Sequence, residues 1–254
     1  MGEPVRAGLG DRGFDMMKRL AFTAAVLMVG GWSLAQAETL PLPEGVIGLS
    51  TPEGAALLFG AEASADYLPL SIHFTTQVNP AYCGPASIAM VLNALDVPRP
   101  ASDMTLGLGM FDQENIFTPE AEAVKPAAAI LSPPYGMTLD ELGGVFASHG
   151  LKASVVHASD SDLETFRRTA IAELADSDHF ILVNYLRKAI GQEAGGHISP
   201  LAAYDADTDR FLILDVTRYK YPPIWVEAAA LFEAMNTEDA DNDNKTRGYL
   251  SVSR

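Results

Sequence analysis

Two periodicities divide the chain. In the N-terminal part, apolar residues recur at helical spacing; in the C-terminal part, they run together as strands. Ile88, Val91, Leu92 and Leu95 share one stripe of a helix expected over Pro85–Leu95, and the positions between them are mostly small or apolar. That composition predicts a helix buried on most sides. Ser50-Thr51-Pro52-Glu53-Gly54 reads as a helix start, with Glu53 in reach of a capping box and Ala55 to Phe59 continuing the turn. A further helix is expected from Thr138, with Asp140 and Glu141 in its first turn, to His149-Gly150. Another follows Ser159-Asp160-Ser161-Asp162 and runs through Phe166 to Leu174.

Phe180 to Tyr185 then reads as a core strand. Ile198 to Tyr204 and Phe211 to Val216 read as two more, joined by the turn-rich Asp205-Ala206-Asp207-Thr208-Asp209. Tyr249 to Val252 supplies a last short strand. Helices first and antiparallel strands afterwards predict an α+β fold, with helices packed against one antiparallel sheet. No repeat or long low-complexity segment interrupts the 254 residues, which suffice for one domain with its own core.

The first residues follow a different logic. Met17-Lys18-Arg19 is basic, Leu20 to Leu34 is apolar, and Ala35-Gln36-Ala37 is a small-residue cleavage site. That order predicts a signal peptide over residues 1–37, with translation starting at Met17 and a mature chain of 38–254; an uncleaved anchor is the competing reading. Cleavage lowers Lys plus Arg from 17 to 13 and Asp plus Glu from 33 to 30, a formal charge of −17. Such a surface repels nucleic acid and anionic lipid, which excludes both as partners and leaves no stable membrane association after cleavage. The expected location is exported, in a bacterial periplasm.

Cys83 is the single cysteine, so an internal disulfide and a thiolate zinc site are both excluded. It sits at the start of the buried helix, in Pro80-Ala81-Tyr82-Cys83-Gly84-Pro85. Unpaired N–H groups and the positive end of the helix dipole favour thiolate there, which marks a nucleophile rather than an inert core thiol. Gly84 is expected to leave room for a substrate backbone beside the sulfur.

A thiolate nucleophile needs a base that later acts as acid. His73, His149, His157 and His179 lie in apolar or boundary positions, whereas His197 follows Gly195-Gly196 and opens a strand. A hairpin turning near Ala206 sets His197 opposite Asp215; a turn one residue later makes them diagonal neighbours on one face. Either way the side chains lie roughly 5–8 Å apart at most. Asp215 ends the apolar run Phe211 to Leu214, where an unpartnered carboxylate is costly; a salt bridge to Arg218 or Lys220 is its alternative role. The Cys83 N–H is one candidate oxyanion donor, and the Gln77 amide another.

Three blocks then carry a resemblance. Thr76-Gln77-Val78-Asn79-Pro80-Ala81-Tyr82-Cys83-Gly84-Pro85-Ala86-Ser87, with Val91 to Leu95, resembles the catalytic region of phytochelatin synthases. So do Gly195-Gly196-His197-Ile198-Ser199-Pro200-Leu201 and the stretch from Leu214-Asp215 to Pro222-Pro223. The resemblance runs from about Ser50 to the C-terminus and is closest to the short bacterial members, without the Cys-rich C-terminal region of plant-type enzymes. It implies a papain-like fold with Cys83 as nucleophile, His197 as base and acid, Asp215 orienting the histidine, and Gln77 completing the oxyanion hole. It also implies that Asp239 and Arg247 hold the charged γ-glutamyl end, one anion and one cation for an α-amino and an α-carboxylate group. Asn184, Gln192, Arg218 and Lys220 are the secondary candidates for substrate contacts.

The activity expected is therefore acyl transfer from glutathione. The Cys–Gly bond is cut through a γ-glutamylcysteinyl thioester, giving mainly γ-glutamylcysteine and glycine, with weak phytochelatin synthesis. No redox or metal cofactor is required. The expected partners are glutathione or related γ-glutamyl thiols, free or as metal thiolates, and a homodimer is compatible with the sequence. The rival readings are a general papain-like exopeptidase or amide hydrolase on other exported peptides, and a non-catalytic periplasmic thiol- or metal-binding protein. A lone cysteine disfavours the last, because soft-metal sites recruit several sulfur ligands.

Overall fold

A computed structural model describes residues 39–101, 106–176, 178–193 and 195–254. The expected signal peptide, residues 1–37, lies outside them. Among the described residues no helix is long and apolar enough to cross a membrane.

The chain begins with β1 (Ile47–Gly48) and α1 (Pro52–Gly60), followed by α2 (Tyr67–Ile72) and α3 (Cys83–Ala94). Two short helices, α4 (Pro119–Val124) and α5 (Ala127–Ile130), lead to α6 (Leu139–Ser148). After β2 (Lys152–His157) and α7 (Leu163–Leu174) come β3 (His179–Leu186), β4 (Gly196–Asp205), β5 (Arg210–Ile213) and β6 (Ile224–Glu227). Helix α8 (Ala228–Met235) and β7 (Gly248–Ser253) complete the chain. The strands among the described residues form one antiparallel sheet of order β1-β6-β5-β4-β3-β7-β2, which makes the protein α+β.

Helices cover both faces of the sheet rather than one. Along β3, Phe180 and Leu182 pack into a cluster with α3 and α6, whereas Ile181, Val183 and Tyr185 pack into a second cluster with α7 and α8. The alternation follows the period of two of a pleated strand. A strand buried on both faces also explains the unbroken apolar run Phe180 to Val183 in β3.

Local chemistry sets the helix starts. Thr138 caps α6 by accepting from the Glu141 N–H, and Glu141 accepts in return from the Thr138 N–H at 2.8 Å, a closed capping box. Asp162 caps α7 in the same way without the return bond. At α1 Thr51 is the cap, but the third helical residue is Gly54, so Glu53 sits one place too early and no box forms. Residues Cys83 to Asn93 of α3 are all buried, as the apolar composition predicts.

The β4–β5 hairpin fixes the register near the site. Tyr204 pairs with Phe211 and Asp205 with Arg210, so the turn is centred between Asp207 and Thr208, later than Ala206. A bulge between Leu201 and Ala203 then shifts the ladder, and the Leu214 N–H donates to the Pro200 carbonyl. Asp215 thereby falls opposite Ser199, with His197 as its diagonal neighbour on the same face. Of the expected Phe211–Val216 strand, only the part through Ile213 is in the ladder.

Candidate active site

Cys83 is the first residue of α3, with Tyr82 as the cap residue. Its N–H therefore belongs to the first turn, where no intrahelical acceptor exists. Burial pushes the Cys83 thiol up, but a hydrogen bond to His197, the charge of that imidazole and backbone N–H groups outweigh it and lower the thiol below its ordinary value. Gly84 serves a purpose other than open space. A Cβ there would meet the Met137 Sδ at 2.8 Å, so the glycine lets Met137 pack against the start of α3.

His197 is the second residue of β4 and is buried. Its Nε2 lies 2.9 Å from Asp215 Oδ1 and 2.9 Å from Ser199 Oγ. With Nε2 taken, Nδ1 is the ring atom left for the Cys83 thiol. The Ser199 hydroxyl accepts from the Val216 N–H at 3.3 Å, and Tyr185 meets the imidazole edge-on with ring centres 5.7 Å apart. Burial pushes the imidazole down; Asp215 overrides that, and the net shift is upward. A lowered thiol against a raised imidazole favours a thiolate–imidazolium pair.

Asp215 is fully buried and is compensated more heavily than a single histidine allows. The Arg187 fork reaches both its oxygens, Nη2 at 2.9 Å from Oδ1 and Nη1 at 2.8 Å from Oδ2. The Thr217 N–H adds a bond to Oδ1 at 2.8 Å. Burial would raise this carboxyl, but the charges and hydrogen bonds of His197 and Arg187 hold it well below the usual range. The salt-bridge partner is therefore Arg187, and neither Arg218 nor Lys220 takes that role. Arg218 is exposed and lies over the Phe74 ring at 4.7 Å, and Lys220 pairs with Glu193 at 3.4 Å.

The same network fixes Gln77 and Gln192. The Thr217 hydroxyl donates to Gln77 Oε1 at 2.7 Å and accepts from Arg187 Nη2 at 3.2 Å. Gln77 Nε2 is thereby turned toward the Asn79 carbonyl, 2.7 Å away, and the Tyr219 hydroxyl, 3.3 Å away. Gln192 Oε1 accepts from Arg187 Nη1, which makes Gln192 a support for the arginine rather than part of the cleft lining.

Cys83 and His197 open into a cleft of about 270 Å³. Asn184, Asp239 and Arg247 line it, whereas Gln77, Arg218 and Lys220 do not. Arg247 Nη2 lies 3.3 Å from Asp239 Oδ1, and the guanidinium also donates to the Glu238 carbonyl. Gly196 allows this placement, since a Cβ there would meet the Arg247 Nε at 3.2 Å. A second ion pair, Lys125–Glu141, lines the same cleft and has no counterpart in the sequence expectations. Three other histidines are engaged elsewhere, His149 with the Ile116 carbonyl, His157 with Asp140 and His179 with Asp176, and the buried His73 Nδ1 has no hydrogen-bond partner among the described residues. No cluster of three or more His, Cys, Asp or Glu able to hold a metal occurs among the described residues.

Comparison with known proteins shows the family. The family model for phytochelatin synthase matches residues 37–249. The chain belongs to the phytochelatin synthase family. Among curated relatives, it is 33% identical over 218 residues to glutathione gamma-glutamylcysteinyltransferase 1 of Lotus japonicus, covering 85% of this chain and 42% of that protein. Glutathione gamma-glutamylcysteinyltransferase 1 of Arabidopsis thaliana is 31% identical over 219 residues, 85% of this chain and 43% of the relative. Glutathione gamma-glutamylcysteinyltransferase of Schizosaccharomyces pombe is 28% identical over 185 residues, 73% of this chain and 42% of the relative. The chain thus spans less than half the length of these relatives. The matched segment contains the whole of the Cys83–His197–Asp215 arrangement.

Proposed function

We propose that this phytochelatin synthase family member is a papain-like cysteine acyltransferase and hydrolase that cuts the Cys–Gly bond of glutathione. The observation that carries the reading is the buried relay from Cys83 through His197 to Asp215, with Nε2 to Oδ1 at 2.9 Å and a thiol lowered by the imidazole beside it. The relatives' names supply the substrate class, a γ-glutamylcysteinyl donor.

In this mechanism the Cys83 thiolate attacks the cysteinyl carbonyl of glutathione. The Cys83 N–H is the donor offered to the oxyanion; the Gln77 amide, held by Thr217, joins it by exchanging its Tyr219 contact for the substrate oxygen. The C–N bond breaks, the His197 imidazolium gives its proton to the departing glycine amine, and a γ-glutamylcysteinyl thioester remains. Water then attacks with His197 as base, releasing γ-glutamylcysteine and restoring the thiolate–imidazolium pair. Asp239 takes the α-amino group of the γ-glutamyl end and Arg247 its α-carboxylate. No step uses a metal or redox cofactor. Metal ions enter as thiolates of the substrate.

Water needs only His197, whereas transfer to a second glutathione needs a site for that acceptor. Arg218 and Lys220, secondary candidates for substrate contacts, are outside the cleft lining and offer no acceptor site there, which supports hydrolysis as the main outcome. The test is a time course at millimolar glutathione, with and without cadmium or zinc, following products by chromatography. Glycine and γ-glutamylcysteine in equal amounts fit the reading. Phytochelatin as the main product contradicts the hydrolytic emphasis, and no cleavage of glutathione contradicts the reaction. Export with cleavage after Ala37 belongs to the same reading, and N-terminal sequencing of the mature protein from Glu38 tests it.

A further inference from the structure

Charge matching in the cleft leads beyond the γ-glutamyl end. Glutathione carries one ammonium and two carboxylates, one on the γ-glutamyl residue and one on glycine. Asp239 and Arg247 match the ammonium and one carboxylate. The second carboxylate needs another cation, and of the residues that line the cleft only Lys125 remains.

Lys125 is built for a fixed position. It directly follows α4, and its N–H donates to the Ala121 carbonyl at 3.0 Å. Its ammonium lies 3.1 Å from Glu141 Oε1, with the lysine side chain 11% exposed. Glu141 is itself immobilised, because Oε2 accepts from the Thr138 N–H in the capping box of α6. Ordering of the long lysine chain is therefore complete before a ligand arrives, which removes part of the entropic cost of binding. An ammonium has three donors, and Glu141 accounts for one. No other partner for Lys125 occurs among the described residues, so two N–H bonds are available to a ligand in the cleft.

We infer that Lys125, held by Glu141, binds the free carboxylate of the leaving glycine and makes the enzyme selective for a C-terminal carboxylate next to the scissile bond. The inference rests on the proposed glutathione reaction. It assigns the leaving-group side of the cleft to the Lys125–Glu141 pair and the γ-glutamyl side to Asp239–Arg247. The preferred donor is then a γ-glutamylcysteine dipeptide extended by one free amino acid, not a longer peptide and not a C-terminal amide.

The test compares glutathione with its glycinamide form, in which the same peptide lacks the terminal charge. Binding is measured by calorimetry on Cys83→Ala protein, so turnover does not intervene. A charge-assisted contact of this kind predicts that glutathione binds about 10- to 100-fold tighter than the amide. Adding Lys125→Gln should erase that difference while leaving the amide's affinity unchanged, and Lys125→Arg should keep most of it. Equal affinities for the two peptides in the Lys125 parent overturn the inference. So does a preference that survives Lys125→Gln, or a parallel loss of both affinities, which is what a merely structural ion pair gives. Turnover of glutathione by the unmodified enzyme reads the reaction separately: cleavage without carboxylate preference removes the Lys125 assignment alone, whereas no cleavage removes the reaction.

Discussion

Arg187 grips Asp215 with both Nη atoms, 2.9 Å from one carboxylate oxygen and 2.8 Å from the other. The pair is nearly solvent-free, so its attraction is offset in large part by the cost of desolvating two charges. Its value is geometric: the carboxylate that orients His197 is held from behind.

Removing the arginine leaves that carboxylate buried with one charged partner fewer. Arg187→Met should destabilise the protein by about 3–5 kcal/mol, read as a lower denaturation midpoint. Arg187→Lys keeps a charge but loses the two-pronged fit, and should fall between. A Met variant as stable as the parent would show that Asp215 is compensated by His197 and Thr217 alone.

Asp215→Asn removes the charge that raises His197 and, through it, lowers Cys83. The parent's acid limb should fall below an ordinary thiol, about 8.5, and its alkaline limb above an ordinary imidazole, about 6.5, because the active pair is thiolate with imidazolium. In the Asn variant both limbs should move inward and kcat should fall by roughly 10²–10⁴-fold. An unchanged pH profile with reduced kcat would mean that Asp215 orients the ring without tuning the pair.

Arg247→Gln should raise KM for glutathione by about 10-fold or more while kcat changes less, since the contact is made equally before and during reaction. Kinetics with a donor lacking the α-carboxylate of the γ-glutamyl residue should show no such loss. If kcat alone fell, Arg247 would act on the reacting centre.

Asp66 lies far from these groups in role. It is fully buried, neither carboxylate oxygen has a hydrogen-bond partner among the described residues, and burial, with Glu173 and Asp176 nearby, pushes its pKa up to about 9. The folded state thus holds a proton that the unfolded chain gives up near pH 3.8, so stability falls as pH rises from there toward 9. Asp66→Asn cannot ionise and should melt higher than the parent at pH 8, with the gain vanishing near pH 4. A constant difference across that range would contradict the assignment.

How much of this was legible in the sequence follows the range of the interactions. Thr138 and Asp162 mark the starts of α6 and α7 to the residue, whereas the short α4 escapes the sequence reading despite its Thr118 cap. Helix α8 has no side-chain cap, β6 is four residues long directly after Tyr221-Pro222-Pro223, and β2 is half exposed, so none gave a pattern. Two-sided burial of the sheet was hidden for a related reason, since an unbroken apolar strand looks the same with one helical layer or two. The His197–Asp215 relation could be read from hairpin arithmetic because both residues flank one turn. Arg187 could not, since it reaches Asp215 from the end of β3; a carboxylate closing an apolar run demands a cation, but Arg218 and Lys220 lie nearer along the chain. Lys125 and Glu141 were invisible as a pair because only the fold of α4 against α6 joins them.

The central claim is that Cys83 forms an acyl-enzyme with the γ-glutamylcysteinyl group of glutathione. Intact-protein mass spectrometry after rapid acid quench of enzyme mixed with glutathione measures this directly. The account predicts a mass increase of one γ-glutamylcysteinyl group, resistant to reducing agent, mapped to the Cys83 peptide and absent from Cys83→Ala. An adduct of whole glutathione that reductant removes, or glycine release by the Cys83→Ala protein at the parent rate, would contradict it.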